Sequence, residues 1–175
     1  MTSPLHQLTM TYSPDQDRVM LRIGTKENTE YQLWMTRRFV RVMWGALMQT
    51  MERDPNLSKD LLPDVKEAVM AMEHQESVQA ADFSQEHAKE NVNLMSNSGA
   101  LLVVGGQVKP VNADLTRINL KTDKGTGIEF ALNKQLLHAL CHMMITSART
   151  AEWDLELAVG DPNVVVPAGD PKQVH

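Results

Sequence analysis

The chain has 175 residues, of which 42% are hydrophobic and 22% are charged, and this composition predicts a folded globular protein and excludes a disordered one. One compact unit, or two small halves in close contact, is the expectation for this length. The single cysteine excludes an intramolecular disulfide framework, and the N-terminal stretch shows neither an export signal nor a transit peptide. We therefore expect a cytoplasmic protein, and the apolar stretches are too short to predict a membrane span.

The first 52 residues predict three strands and a helix. Apolar residues alternate with polar ones in three stretches, and Ser13-Pro14-Asp15 is typical of a turn between the first two. Thr36 is placed as the N-cap of a helix whose apolar residues recur at steps of three and four. The predicted inward positions are Leu8, Met10, Tyr12, Val19, Leu21, Ile23, Tyr31, Leu33 and Met35 on the strands, and Phe39, Val40, Met43, Leu47 and Met51 on the helix.

The middle of the chain predicts an insert. Residues 61–83 carry apolar side chains at helical spacing, with Pro63 near the first turn, where its missing N–H does no harm. A second, shorter helix is predicted near 86–95, followed by a polar linker.

Residues 100–150 repeat the first unit. When the sequence is shifted by 97 residues, 21–47 lies over 118–144 without a gap, and apolar positions coincide along both strands and the helix. The first strand of this copy has a predicted bulge at Gly105-Gly106, and Asn133 takes the place of Thr36 as N-cap. The matched apolar pairs include Leu21 with Ile118, Leu33 with Phe130, Met43 with Leu140 and Leu47 with Met144.

The sequence thus predicts an α+β fold of two pseudo-symmetric β-β-β-α repeats, each an antiparallel meander with a helix, packed together as one compact unit. The boundaries are 1–52 and 100–150 for the repeats, 53–99 for an acidic helical insert and linker, and 151–175 for an acidic, flexible tail. In this order of elements the chain resembles the tandem architecture of Whirly and PUR-repeat proteins. The resemblance, which lies in topology alone, implies single-stranded DNA or RNA binding and carries over no residue role, so no family is assigned.

Charge is unevenly distributed along the chain. The first repeat holds six basic and five acidic side chains, and the second holds six and three. The insert holds four basic and nine acidic side chains, and the tail holds one and five. Two interpretations remain open: the acidic segments are simply solvated, or they shield a basic face that binds an anionic partner. The helix beginning at Arg37 carries Arg38 and Arg41 where its dipole disfavours cations, so an acidic group is expected to face them, with Glu30 or the insert as candidates.

An outward sheet face with one tryptophan is the candidate nucleic-acid surface. Bases stack on aromatic side chains while cations contact phosphates. The candidate residues are Arg22, Gln32, Trp34, Arg117 and Lys121.

The second helix carries the only candidate metal or thiol site. His138 and His142 are separated by one helical turn, with Cys141 nearby, a spacing compatible with metal binding. On a helical wheel the three do not converge, and a solvent-exposed histidine pair is the alternative. We therefore expect no metal, no cofactor and no catalysis.

The first helix carries the preferred candidate interaction surface. Trp44, Met48 and Met51 extend its apolar arc beyond a narrow stripe, which predicts contact with either the insert helix or a second subunit. The sequence therefore favours a non-catalytic binding or scaffolding module that engages a protein partner, or itself as a homodimer, with single-stranded nucleic-acid binding as the alternative. A metal- or thiol-dependent enzyme ranks third.

Overall fold

A computed structural model describes residues 5–27, 29–53, 62–80, 93–94 and 99–160. The first unit consists of strands β1 (Leu5–Ser13), β2 (Arg18–Thr25) and β3 (Thr29–Met35) and helix α1 (Arg37–Glu52). Helix α2 (Pro63–Ala80) and the two-residue strand β4 (Asn93–Leu94) follow. The second unit consists of strands β5 (Leu101–Pro110), β6 (Leu115–Thr122) and β7 (Gly127–Asn133) and helix α3 (Lys134–Thr150). The predicted α+β fold and the order of two β-β-β-α units are confirmed.

The six long strands form one mixed sheet in the order β1-β2-β3-β5-β6-β7. Within each unit the neighbouring strands are antiparallel, whereas the two units join through a short parallel pairing of β3 with β5, at Leu33 with Leu101 and Trp34 with Leu102. The strand β4 also pairs with β3, so the short helix predicted near 86–95 is wrong at residues 93–94. The rest of that predicted helix lies outside the described residues. Among the described helices, none combines the length and the apolar character needed to cross a bilayer.

Equivalent side chains begin the helices α1 and α3 that end the two units. Thr36 Oγ1 accepts a hydrogen bond from the Phe39 amide at 3.2 Å, and Asn133 Oδ1 accepts one from the Leu136 amide at 2.8 Å. Both caps have extended backbone, and both satisfy an amide that the helix itself leaves without a partner. The N-cap predictions are therefore confirmed at both positions.

Equivalent threonines also close the two β-turns before the third strand of each unit. Thr122 Oγ1 donates to the Thr126 carbonyl at 3.1 Å, and Thr25 Oγ1 donates to the Thr29 carbonyl at 3.4 Å. These four residues are related by the same shift of 97 positions. The repeat seen in the sequence is thus also a repeat of local hydrogen bonding.

The core is built by helices that cross from one unit to the other. Helix α1 packs on β5, the first strand of the second unit, and helix α3 packs on β1, the first strand of the first unit. The inward positions of both meanders meet these helices. The largest fully buried side chains are Val19, Leu21, Ile23, Leu33, Met35, Val40, Leu47, Ile118, Leu120, Leu132, Leu140 and Met144.

A β-bulge in β5 places one valine in solvent. The pairing register with β6 shifts between Val103 and Gly105, which leaves Val104 as the extra residue. At Gly106 an added Cβ would lie 2.5 Å from the Asn119 carbonyl oxygen, so only glycine fits without a shift of the backbone. The bulge predicted from the two glycines is therefore present, one residue earlier than expected.

The segment after α3 is packed against the protein, contrary to part of the prediction. Trp153 is only 3% exposed, and its indole Nε1 donates to Asp17 Oδ1 at 2.8 Å. Its ring meets the Tyr12 ring edge to face, with 5.9 Å between the centroids. These contacts join the end of the chain to the β1–β2 turn.

The contact continues to the last described residue. Val159 belongs to the hydrophobic core, and Gly160 adopts a left-handed conformation close to the backbone of α2 at Ala71. The flexible tail predicted for 151–175 is therefore wrong for its first ten residues. Residues 161–175 lie outside the described residues.

Candidate interaction surfaces

A buried carboxylate occupies the outward face of the first unit. Glu30 is almost fully buried, accepts a hydrogen bond from Gln32 Nε2 at 2.7 Å and pairs with Arg22, whose Nε lies 3.5 Å from the carboxylate. Arg22 and Gln32, two of the candidate nucleic-acid residues, are therefore both bound to Glu30. The carboxylate of Glu30 partly neutralises the positive charge that Arg22 would present to a phosphate. Glu30, one of the two candidates to face the arginines of α1, thus contacts Arg22 and Gln32 on its own sheet face.

The outward face of the second unit is more open. Arg117 and Lys121 project from β6 and are exposed, and Lys109 of β5 pairs in register with Arg117. Glu129 lies 3.5 Å from Arg117 in an exposed ion pair, which contributes little in water. Trp34 is half-buried on β3, in register with Leu102 of β5. The structure thus places the predicted cations Arg117 and Lys121 on one sheet face of the second unit. The predicted tryptophan, Trp34, lies on the first unit.

The two candidate histidines of α3 lie beside His74 of α2. His138 is buried, and its Nδ1 lies 3.0 Å from Nδ1 of His74, so one ring must donate and the other accept. The ring of His142 lies 6.5 Å from that of His74, between centroids. Burial first, and the neighbouring His142 second, lower the pKa of His74 to about 4. The interpretation of an exposed His138–His142 pair is therefore wrong for His138.

The thiol of Cys141 is enclosed by the hydrophobic core. Cys141 is fully buried in the core, and burial raises the pKa of its thiol, which keeps it protonated and inert. Within the part of the chain that the structure describes, no group of three or more histidine, cysteine or acidic residues could hold a metal ion. The candidates His138, Cys141 and His142 thus form no common site there.

The candidate protein-binding residues of α1 belong to the interior. Trp44 is 9% exposed and Met51 is 7% exposed, and Met48 packs partly buried against the same core. Helix α1 contacts α2, which satisfies one of the two alternatives for its wide apolar arc. These three side chains are therefore used within the chain and do not form an exposed surface.

An open apolar groove lies instead on the opposite flank of α1, where the helix runs beside β5. Its volume is about 540 Å³. Val42 of α1 is 61% exposed and Val104 of β5 is 59% exposed, one on each side of the groove. The remaining apolar lining comes from Phe39, Met43, Ala46, Leu102, Val103, Val108 and Leu120. The sequence contained a hint of this surface, since Val42 is an apolar residue on the polar side of the predicted helix.

A basic rim adjoins the groove. Arg37, Arg38 and Arg41 are exposed in the first turns of α1, which carries no acidic residue there. Within the described part of the chain, neither Arg38 nor Arg41 has an ion pair. The Asp17 carboxylate accepts hydrogen bonds from Trp153 and Tyr12, which lower its pKa, and the charge of Arg37 adds to this effect. Two arginines of the rim are thus available to an anionic partner.

Comparisons with protein-family models, with curated proteins and with solved structures find no match for this chain. The resemblance in topology to Whirly and PUR-repeat proteins therefore stays a prediction.

Proposed function

We propose that this chain is a non-catalytic protein-binding module whose partner docks in the groove between α1 and β5. The observation that carries the proposal is the pair of valines, Val42 and Val104, that face solvent on the two walls of one open groove. Exposed large apolar side chains gathered around a concavity are typical of interaction sites.

The groove has room for a side chain of the partner beside Gly105. Gly105 has no neighbour within 4 Å of the position where a Cβ would stand, so the strand presents bare backbone beside Val104. Burying a valine fully stabilises a complex by about 1.5 kcal/mol relative to leaving it exposed. A partner that covers both walls of the groove would gain this contribution from Val42 and Val104 together.

The buried Cys141 supports a non-catalytic role. A nucleophilic cysteine needs a thiolate that a substrate can reach, whereas this thiol is protonated and enclosed by the core. The His74–His138 contact lies between two helices of the same chain, where it serves their packing.

The proposal is tested by affinity capture from lysate followed by quantitative mass spectrometry. The wild-type chain is compared with Val42→Asp and Val104→Asp, and with Val111→Asp as the matched control, since Val111 is also exposed but lies outside the groove. We expect a partner that the wild type and the control retain and that both groove variants lose. A set of captured proteins that is identical for all four chains would contradict the proposal.

Single-stranded nucleic-acid binding is the second candidate function, favoured by the exposed Lys109, Arg117 and Lys121 on one sheet face. Fluorescent oligo-dT and oligo-U titrations at 50 and 200 mM salt test it. Salt-dependent binding that weakens in Lys121→Glu and Trp34→Ala would support it. Binding that is absent, or is unaffected by both substitutions, would remove it.

We infer in addition that the two β-β-β-α units are related by a pseudo-two-fold axis. The equivalent N-caps at Thr36 and Asn133 and the reciprocal packing of α1 on β5 and α3 on β1 support this inference. Under this relation each residue of α1 has a counterpart in α3, 97 positions later in the chain.

A further inference from the structure

We propose that the partner in the groove is an acidic amphipathic α-helix that lies along α1 in the way that α2 lies along α3. This inference rests on the proposed protein-binding function and names the chemistry of the partner.

The packing of α2 on α3 is the model for the proposed contact. Lys134 Nζ of α3 lies 3.3 Å from the Glu73 carboxylate of α2, and Gln135 Nε2 donates to the Ala80 carbonyl at 3.2 Å. One turn further along α3, His138 meets His74 of α2. Helix α2 thus contacts the face of α3 that carries Lys134, Gln135 and His138, and it buries His138 while Gln135 stays exposed.

The counterparts of these three residues on α1 are Arg37, Arg38 and Arg41. All three are exposed, and among the described residues no helix covers them as α2 covers α3. The second unit therefore has a helix packed against a face that the first unit leaves open.

The charge of the open face indicates what would cover it. Three arginines stand in the first turns of α1 without an acidic residue, where the positive end of the helix dipole adds to their charge. The helix on the equivalent face, α2, carries four carboxylates against one lysine. An acidic helix would relieve the positive charge of the α1 face just as Glu73 pairs with Lys134.

A glycine in the middle of α1 is an independent indication of close packing. Gly45 is exposed, and an added Cβ would meet nothing within 4 Å, so no described contact requires glycine there. Glycine in a helix interior costs about 1 kcal/mol relative to alanine. A helix lying across α1 would account for it, because Gly45 removes a side chain from the middle of the crossing.

The basic rim and the groove can be reached by one helix. At about 100° per residue, Gly45 and Val42 lie within about 40° of Arg38 around the axis of α1. A partner helix that sets a carboxylate on Arg38, which lines the groove, therefore lies beside Val42, whereas Arg41 lies about 100° from Val42 around the helix axis.

The test is a titration of the full-length protein with a fluorescein-labelled, hydrocarbon-stapled peptide of the α2 sequence, followed by anisotropy. The staple joins positions 75 and 79, which are exposed in α2, because an unstapled 18-residue helix is marginal in water. A scrambled peptide of equal charge serves as the ligand control. The protein variants are Arg38→Glu/Arg41→Glu, Val42→Asp and, as a single charge reversal in a distant exposed turn, Lys124→Glu.

We expect the stapled helix to bind the wild type and Lys124→Glu with equal Kd. Binding should weaken at least tenfold in Arg38→Glu/Arg41→Glu and in Val42→Asp, and the scrambled peptide should bind at least tenfold more weakly to the wild type. Equal binding to all variants, equal binding of the scrambled peptide, or full displacement of the helix by oligo-dT would overturn the inference. A dimer in light scattering that Arg38→Glu/Arg41→Glu dissolves would also overturn it, because the occupant would then be a second copy.

The two proposals fail in different ways. A lysate protein that is lost with Val42→Asp and Val104→Asp, but retained by Arg38→Glu/Arg41→Glu, would support the groove as a binding site and overturn the acidic helix. Loss of the captured protein from both kinds of variant supports both proposals.

Discussion

Single residues at equivalent positions of the two units make the same kind of hydrogen bond. Thr36 and Asn133 each supply a side-chain oxygen to an amide in the first turn of a helix that follows a strand without a loop. Such a short connection leaves little freedom in the direction of the helix, and the cap ends the strand and begins the helix at one residue.

Removal of either cap should lower stability without changing the fold. We expect Thr36→Ala and Asn133→Ala each to reduce the free energy of unfolding by about 1 kcal/mol, measured by urea denaturation. Thr36→Asn is the control, since asparagine caps helices at least as well as threonine. An unchanged unfolding midpoint in both alanine variants would show that these hydrogen bonds do not stabilise the helices.

Gly45 should be replaceable in the free protein. Because a Cβ at this position meets no atom within 4 Å, Gly45→Ala should raise the free energy of unfolding by about 0.5–1 kcal/mol through the higher helix propensity of alanine. Thermal and urea unfolding measure this effect. A destabilised Gly45→Ala would mean that another part of the chain needs the space.

At the level of elements, α2 is the feature that makes the two units unlike. It covers α3 and brings His74 against His138, whereas the matching face of α1 stays open. The contact between His74 and His138 depends on pH. In two neutral rings one Nδ1 can donate its hydrogen to the other, whereas in two imidazolium rings both nitrogens carry a hydrogen and neither can accept.

The stability of the α2–α3 contact should fall with acid. The pKa of His74 is about 4 in the folded protein and about 6.5 in the unfolded chain, so below pH 6.5 the unfolded chain binds a proton that the folded protein lacks. The free energy of unfolding should therefore decrease from pH 6.5 to 4 and the His74 contribution should level off below that. Since His74 is only half-buried, solvent screening limits the loss to about 1–2 kcal/mol.

Urea unfolding of the wild type and of His74→Gln across this pH range measures the contribution, because the carboxylates that also titrate are common to both proteins. The titratable neighbours on both helices, which include Glu73, Lys134 and His142, remain in the variant. Equal pH slopes for the two proteins would show that His74 does not resist protonation.

At the level of the whole molecule, the stability of each unit depends on the other, because each unit's helix packs on a strand of the other unit. Helix α1 covers β5 and α3 covers β1, so neither meander buries its apolar face with its own helix alone. The chain should consequently unfold as one cooperative system.

Equivalent core truncations should test this coupling. Leu21→Ala and Ile118→Ala remove fully buried side chains from the two units, and each should cost about 3 kcal/mol. Far-ultraviolet circular dichroism and tryptophan fluorescence should report one coincident transition in both variants. Two separate transitions, with only one displaced in each variant, would show that the units fold independently.

Local patterns in the sequence determined the elements of this protein. Alternating apolar residues, helical spacing, turn residues and N-caps act over at most four positions, and they correctly predicted the six long strands, the three helices that the structure describes and the bulge near Gly105, but not the strand at 93–94. The repeat likewise needed only comparison of the chain with itself.

The surfaces were decided by the tertiary structure. The burial of Trp44, the contact of His138 with His74 and the bond from Trp153 to Asp17, 136 positions earlier, all join residues far apart in the chain. Periodicity tells which side of an element is apolar, but it does not tell which other element covers it. For that reason the sequence placed the interaction surface of α1 on Trp44, whereas packing buried that residue and left Val42 exposed beside the groove.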